Sequence, residues 1–559
     1  MAAAEPPLAR ALAGLCDCLG CAPTLPRTPA CCTELLQGLV SWAAPGPEDG
    51  RGNREVPTRA AAAVRASLLL LEAVAATRGD HISAAEAEQE LEADSAEEAG
   101  KCDGSKLLLG GGTPKSTEGG LDGPVLNENG QGASLSLEEK HVAPASPCSG
   151  GGAPALAKKT DDAHIKSDGV PKSIVDCDRE LVSEMIDPQC VLRCAVAPLL
   201  LLCGAHIHDT PWSNAQSRRL ANQLLRSLLE VSHCASVAAL LEGNPDQPYS
   251  TYREALQLLG PRLRKDTWES HPEAKLVFSW MLFRVPRPWL SDFLSRVMPP
   301  SLLFSDDYKP ENKVLGVRCL HHIVRNVPAA ELRQYNRALV VYHALRNHLY
   351  TTDAEVVEVV LPCLLDIFPV LHKPPPAVGA YRKDGENPPD QIMQMLLTHM
   401  EMEHRIALRR LYARSLPALQ ERLGFRIARH MKRLLRVIVG YLEVSDGPDE
   451  TSRLSILETL QGTIKYAWPR IPPRLPLLLK SLLKLIYELS SESNPNSVTE
   501  ALVNGATECL LLLDNCSQGQ VKTALEDIPS VCKEPLLQQC VSAVLQRGGE
   551  RQPSSPIQP

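Results

Sequence analysis

Apolar positions recur along the C-terminal half of the chain at a spacing that indicates paired helices. Leu- and Ala-rich segments centre on five positions, with successive separations of 43, 49, 47 and 50 residues: Leu320, Cys363, Tyr412, Thr459 and Cys509. Two-helix repeats of the HEAT and armadillo type have periods of about 40–47 residues. Because one helix pair cannot bury its apolar face alone, neighbouring pairs must stack. The pattern predicts an all-α, HEAT/armadillo-like helical-repeat solenoid; an irregular helical bundle is the alternative.

The gaps between these centres predict a second helix in most repeats. The predicted second helices cover residues 330–350, 426–443 and 475–489, and the Asp446-Gly447-Pro448 turn ends one of them. Capping boxes are predicted where Ser213 precedes Gln216 and where Ser497 precedes Glu500. Shorter helices are predicted over 252–259, 267–283 and 288–297, before the regular spacing begins.

The N-terminal half contains a segment without helical periodicity. Residues 100–172 include fourteen glycines and no aromatic residue. Such a segment buries too little apolar area to offset the entropy of ordering it, so it is predicted to be a disordered insertion. The predicted organisation is an N-terminal helical segment (1–99), the insertion (100–172), a helical region (173–304), HEAT-like repeats (305–548) and a disordered tail (549–559).

Charge and cysteine content narrow the class of protein. The formal net charge is −8, whereas a nucleic-acid-binding domain is typically basic. No secretory signal pattern introduces the chain, so the eighteen cysteines are expected to stay reduced. We therefore expect a cytoplasmic or nuclear protein that contacts neither nucleic acid nor membrane directly. Cys203, Cys319, Cys363 and Cys509 lie in Leu-rich runs and are predicted to be buried.

Motifs that carry catalysis are not recognisable in the chain. A nucleophile elbow, a dinucleotide fingerprint and a paired-carboxylate motif are all missing. The clustered cysteines near the N-terminus alternate with leucine and are interpreted as packing residues. His321 and His322 point about 100° apart on a helix, which favours packing over metal binding. We expect no catalytic residue, no cofactor and no metal ligand, with an unrecognised enzyme as the less favoured alternative.

A stripe of basic residues is the first candidate binding site. Between His404 and Arg436 there are ten Lys or Arg and a single acid, Glu421. Five arginines recur at three- to four-residue steps and are predicted to form one face of one helix: Arg422, Arg426, Arg429, Arg433 and Arg436. A solvated face is the structural alternative, and exchanging Arg426, Arg429 and Arg433 for Glu should then leave the fold intact. The stripe lacks aromatic residues for base stacking, so an acidic protein partner is favoured over nucleic acid.

A helix start supplies the second candidate site, Asp306, Asp307, Tyr308 and Lys309. Pro310 suits the first helical turn, and the two aspartates then precede the positive end of the helix dipole. Gly316 inside this helix costs about 1 kcal/mol relative to Ala. A close approach of another helix explains that cost. Helix capping and packing alone are the structural alternative to partner binding.

Several segments resemble one known family. They are 305–324 (SDDYKPENKVLGVRCLHHIV), 439–444 (VGYLEV) with 446–448 (DGP), and 511–514 (LLLD) with 516–519 (CSQG). Together they closely resemble the Tel-two-interacting protein two family, in good register from about Ser305 to Cys532 and more loosely from about Leu181.

The resemblance implies a function that the spacing of apolar residues alone does not indicate. Members of this family are HEAT-repeat subunits of the Triple-T (TTT) co-chaperone complex, with the Tel-two protein and a larger HEAT-repeat Tel-two-interacting protein as partners. The resemblance implies work with the ninety-kilodalton heat-shock chaperone to mature and stabilise PI3-kinase-related kinases: mTOR, ATM, ATR, DNA-PK and SMG kinase. It therefore implies support of DNA-damage and growth signalling. A HEAT-repeat adaptor of another class, for nuclear transport or phosphatase assembly, is the alternative.

Overall fold

The computed structural model of the 559-residue chain describes residues 7–19, 29–46, 55–78, 187–243, 246, 249–371, 387–491, 495–526, 528 and 532–547. All of them belong to one compact unit formed by residues 1–82 and 186–559. The predicted insertion at 100–172 and the predicted tail at 549–559 lie outside the described residues. Within the described residues the regular structure is helical and includes no strand, which confirms the all-α prediction.

The helices are numbered in chain order. The first part contains α1 (Pro7–Leu19), α2 (Pro29–Ala43), α3 (Glu55–Arg78), α4 (Pro188–His206), α5 (Ala215–Val231), α6 (Val237–Glu242), α7 (Ser250–Leu259), α8 (Pro272–Leu282) and α9 (Leu294–Ser305). The second part contains α10 (Pro310–Asn326), α11 (Ala329–Arg333), α12 (Arg337–His348), α13 (Ala354–Leu371), α14 (Pro388–Met402), α15 (Ile406–Leu423), α16 (Met431–Leu442), α17 (Thr451–Ala467), α18 (Leu475–Leu489), α19 (Asn496–Cys516), α20 (Gln520–Leu525) and α21 (Pro535–Arg547).

The second part is built from two stacked layers of helices. In the first layer α10, α13, α15, α17 and α19 each contact the next one in this order. In the second layer α14, α16, α18 and α21 do the same. Each of the five predicted repeat centres lies in a first-layer helix and is buried. This confirms the HEAT-type repeat, because every helix hides its apolar face against its predecessor, its successor and the other layer.

The first part continues this arrangement with α1, α3 and α5 in one row and α2, α4 and α8 in another. By length and composition α3 and α4 could each cross a membrane. Most residues of both helices are buried against neighbouring helices of the same unit, which accounts for their apolar composition. The four cysteines predicted to be buried are fully buried, and desolvation raises the pKa of their thiols.

A close contact between α9 and α10 confirms the packing predicted for Gly316. A Cβ placed on Gly316 would lie 2.1 Å from the backbone nitrogen of Ser305. Only glycine lets α10 approach α9 at this distance. The histidines of α10 also serve packing: His321 bonds Asp366 of α13 at 2.8 Å, and His322 bonds the carbonyl of Val285 at 3.1 Å. Pro310 occupies the first turn of α10, as predicted.

Two predicted second helices are interrupted. The prediction over 330–350 is divided into α11, a 3₁₀ turn and α12, because Tyr335 and Asn336 have left-handed φ values of 52° and 56°. The prediction over 426–443 is divided at His430, between a 3₁₀ turn (Gly424–Arg429) and α16. By contrast, α18 has the predicted bounds 475–489. The 267–283 and 288–297 predictions likewise begin as 3₁₀ turns before α8 and α9.

The sequence prediction missed α14, misplaced one capping box and predicted another that does not form. The prolines before α14 resemble a loop, yet its Pro388 and Pro389 occupy the first turn, where no backbone N–H is needed. The capping box of α5 is formed by Asn214 and Ser217, one residue beyond the predicted pair. No side-chain cap bond opens α19, so the predicted box from Ser497 to Glu500 is wrong.

Candidate protein-binding surface

The five arginines of the predicted stripe do not share one helix. Arg422 lies at the end of α15, Arg426 and Arg429 lie in the 3₁₀ turn, and Arg433 and Arg436 belong to α16. The helix stops because Gly424 has a φ of 53° while its N–H bonds the carbonyl of Gln420. Glycine adopts this positive φ without the steric cost that a side chain would bring. The prediction of one continuous basic face is therefore wrong.

Acidic residues of α14 partly neutralise the candidate arginines. Asp390 accepts a hydrogen bond from His430 Nε2 at 2.8 Å and lies 3.6 Å from Arg426 and 3.9 Å from Arg429. Glu401 pairs with Arg433 through both oxygens, at 3.1 and 2.8 Å. The arginines thus fasten α14 to the following repeat, which sequence reasoning missed because it did not predict α14.

These contacts shift the pKa values of both carboxyl groups. Burial alone would raise the pKa of Asp390, but hydrogen bonds from His430 and Asn387, together with nearby positive charge, hold it below its usual value. The hydrogen bond from Arg433 lowers the pKa of Glu401. Both acids therefore stabilise the fold in their charged forms.

Replacing Arg433 with Glu should destabilise the fold by about 1 kcal/mol, because it removes a two-pronged ion pair that is partly exposed and adds a like charge. Urea unfolding at pH 7 measures this loss. The pKa of Glu401 is lower in the folded state than in the unfolded state. The ion pair therefore stabilises the folded state fully at pH values above the unfolded-state pKa of about 4.3, and this stabilisation is lost as the pH falls through the folded-state pKa. The difference between the wild type and Arg433→Gln should shrink over that fall. A difference independent of pH would contradict the role of the pair.

The second candidate site is divided between structural and exposed residues. Asp307 is buried, and its carboxylate accepts a 2.5 Å hydrogen bond from the side-chain Nδ2 of Asn312. The side-chain Oδ1 of Asn312 in turn accepts a hydrogen bond from the Lys275 ammonium at 2.5 Å. Asp306, Tyr308 and Lys309 are exposed, and the Lys309 ammonium lies 5.5 Å from the centre of the Tyr308 ring. The two candidate sites are not brought together, since α13 lies between α10 and α15. Partner binding at Asp306, Tyr308 and Lys309 stays a prediction.

A groove between α16 and α18 was not predicted from the sequence. Its volume is about 260 Å³. The apolar residues Leu435, Val439 and Leu477 line its floor, and the basic residues Lys432, Arg436 and Arg474 line its rim. Leu477 is 44% exposed, although the next residue, Leu478, is fully buried. In the Leu-rich run of α18 all leucines look alike, so the sequence does not show which of them faces outward. We call these six residues the basic-rimmed groove.

The segments that resemble the family stabilise turns between helices. In the turn after α16, Asp446 accepts hydrogen bonds from Arg410 Nε and from the backbone N–H of Ser452, both at 3.0 Å. After α19, Asp514 accepts a hydrogen bond from the backbone N–H of Lys522 at 3.1 Å. Asp307, Gly316, Asp446 and Asp514 thus hold helices and turns of the repeats in place.

Stacked helix pairs with an exposed groove define this chain as a helical-repeat protein of the HEAT type. The model of the Tti2 family matches residues 199–449. The chain is 48% identical over 342 residues to human TELO2-interacting protein 2, covering 60% of this chain and 66% of that protein. It is 48% identical to the rat protein of that name over 63% of this chain and 69% of the relative, and 47% identical to the mouse protein over 64% and 70%. The chain belongs to the Tti2 family.

Solved structures give a more distant likeness. Importin β crystallised from ammonium sulfate is 17% identical, with a TM-score of 0.42, over 63% of this chain and 40% of importin β. Importin β crystallised from polyethylene glycol is 14% identical, with a TM-score of 0.39, over 92% of this chain and 59% of importin β.

Proposed function

We propose that the chain is a non-catalytic scaffold subunit that binds the Tel-two protein within the Triple-T co-chaperone complex. The observation that carries this proposal is membership of the Tti2 family, whose human, rat and mouse relatives are named for interaction with TELO2. The fold supports the proposal physically. Stacked helix pairs form a rigid, extended surface, which suits the binding of other proteins.

The proposal extends to the partners and pathway that the family resemblance implies. A larger HEAT-repeat Tel-two-interacting protein is the second direct partner. The ninety-kilodalton heat-shock chaperone and the PI3-kinase-related kinases mTOR, ATM, ATR, DNA-PK and SMG kinase are reached through the assembled complex. Loss of the chain then lowers the abundance of these kinases. The cytoplasm, and also the nucleus, is the proposed location.

Affinity purification of the tagged full-length chain followed by mass spectrometry tests the proposal. Recovery of the Tel-two protein and the larger HEAT-repeat partner in stoichiometric amounts is the expected result. A purification that yields neither of them would sink the proposal. Recovery of nuclear-transport or phosphatase subunits instead would favour an adaptor of another class. An untagged chain expressed at the same level controls for adsorption to the resin.

Deletion of residues 100–172 should leave this co-purification unchanged, because a segment too poor in apolar residues to form a core is not expected to supply a docking surface. The measurement is the recovery of both partners by the shortened chain relative to the full-length chain. A tenfold loss of recovery with unchanged helicity would show instead that the segment contributes to binding.

A further inference from the structure

The rim of the basic-rimmed groove carries positive charge that the fold does not use. Within the residues that the structure describes, neither Lys432 nor Arg474 forms an ion pair, and Arg436 reaches Glu401 only at 4.0 Å. Arg433, one residue away from Lys432, is instead held by Glu401. The rim therefore contrasts with the neighbouring arginines, whose charges are matched within the chain.

Gly440 is a second observation at this surface, independent of the rim charges. It lies inside α16, one turn beyond Arg436 on the same face, where glycine costs about 1 kcal/mol relative to alanine. A Cβ on Gly440 would meet nothing within 4 Å. Gly316, Gly462 and Gly505 differ, because a Cβ on each would lie within 3.1 Å of an adjoining helix. Packing inside this chain does not explain why position 440 lacks a side chain.

The floor of the groove is suited to side chains. Its volume of about 260 Å³ is below the roughly 300–1,000 Å³ typical of small-molecule sites. The half-exposed Leu477 and the Val439 side chain provide apolar contact for one or two large side chains. None of the six lining residues is aromatic, which disfavours stacking of nucleic-acid bases.

We propose that the basic-rimmed groove binds an acidic helix of a partner protein. The helix inserts a leucine or phenylalanine between α16 and α18 and passes close to Gly440. Carboxylates three or four residues apart on that helix share one face and match the cations Lys432 and Arg436, which are themselves four residues apart on α16. Arg474 binds the opposite side of the helix. This inference deepens the proposed scaffold function by naming one binding surface and its ligand, and it rests on that function only in taking the ligand to be a protein.

A peptide assay tests the groove independently of the complex. The probe is a fluorescein-labelled helical peptide with glutamates at i and i+4 flanking a leucine, and its control carries lysines instead. Fluorescence anisotropy at low salt should show that the full-length chain binds the acidic peptide at least about tenfold more tightly, with affinity falling as salt rises. Equal affinity for the two peptides, or tighter binding of a single-stranded RNA of similar length, would overturn the proposal.

Matched charge reversals locate the binding. Lys432→Glu with Arg474→Glu should weaken acidic-peptide binding about tenfold or more, because both rim charges become repulsive. The control is Arg414→Glu with Lys465→Glu, which reverses two exposed cations of α15 and α17 in the first layer and should change affinity less than about twofold. Equal weakening by both pairs would place the binding outside the groove.

Gly440→Ala separates interface loss from misfolding. The added methyl group should raise the melting temperature of the free chain while weakening peptide binding, since it occupies the space through which the partner helix passes. Unchanged affinity in a stabilised variant would contradict the close approach at Gly440.

Photo-cross-linking examines the assembled complex. Benzoylphenylalanine at Leu477 should cross-link to an acidic helical segment of a co-purified subunit, whereas the same group at Tyr466 of the first layer should not. An assembled wild-type complex without a cross-link from position 477 would overturn the groove as an interface. If the wild-type complex does not assemble, the proposed function fails, and the peptide assay alone decides the groove.

Discussion

Replacing Gly316 with alanine should destabilise the protein by about 3 kcal/mol, although alanine is the better helix former. The new Cβ would lie 2.1 Å from the backbone nitrogen of Ser305 and 2.6 Å from its Cα. Backbone atoms cannot rotate away as a side chain can, so α9 and α10 must separate along their contact. Chemical unfolding monitored by circular dichroism at 222 nm measures the loss.

Gly440→Ala is the matched control for this prediction. The substitution is chemically identical and also lies inside a helix, but nothing stands within 4 Å of the new methyl group. It should stabilise the chain by about 0.5–1 kcal/mol. If the two variants changed stability in the same direction, the close packing of α9 on α10 would not be the reason for glycine at position 316.

A second large loss of stability is expected on breaking a buried ion pair at the start of α17. Arg453 and Glu450 are almost fully buried, their charged atoms lie 3.6 Å apart, and Arg453 Nε donates to the carbonyl of Leu442 at 3.1 Å. Arg453→Met should cost about 3 kcal/mol, because it leaves the carboxylate of Glu450 buried without its counter-ion. Urea unfolding at pH 7 measures this cost.

The acidity of Glu450 gives this prediction a control. Burial raises the pKa of Glu450, and loss of Arg453 removes a charge that opposes this rise. The loss of stability caused by Arg453→Met is present at pH values above the folded-state pKa of Glu450 in the variant. It should diminish as the pH falls and Glu450 takes up a proton. Arg453→Met combined with Glu450→Gln should recover much of the stability at pH 7. A double variant as unstable as the single one would indicate that lost packing, and not the unpaired charge, dominates.

Gly316 and Asp446 show what two residues of the resembling segments do in the fold. Gly316 sets the distance between α9 and α10, and Asp446 holds the turn from which α17 begins. Such residues keep successive repeats in one register, so the shape of the basic-rimmed groove depends on them. Mutations of Gly316 and Asp446 should therefore reduce partner binding mainly through lower stability of the fold.

Sequence periodicity was sufficient to predict the first layer of the repeats. Leu320, Cys363, Tyr412, Thr459 and Cys509 each lie in the expected helix, because an amphipathic helix repeated every 43 to 50 residues has few other ways to bury its apolar face. The same local reasoning predicted the close approach at Gly316, since a glycine within a helix is costly unless a neighbour requires it. The first inference depends on the spacing of apolar residues and the second on the helix propensity of glycine, and both are local properties of the sequence.

Only the tertiary structure shows which charged and apolar residues of the candidate surface are exposed and unpaired. The arginine stripe is divided by Gly424 and partly neutralised by Asp390 and Glu401, which are distant in sequence and become neighbours only when α14 packs on the next repeat. Leu477 and Leu478 are adjacent and chemically identical, yet one faces the groove and the other the core. Charge pairing between helices and the outward direction of one leucine depend on how the repeats stack. Neither can therefore be predicted from local sequence patterns.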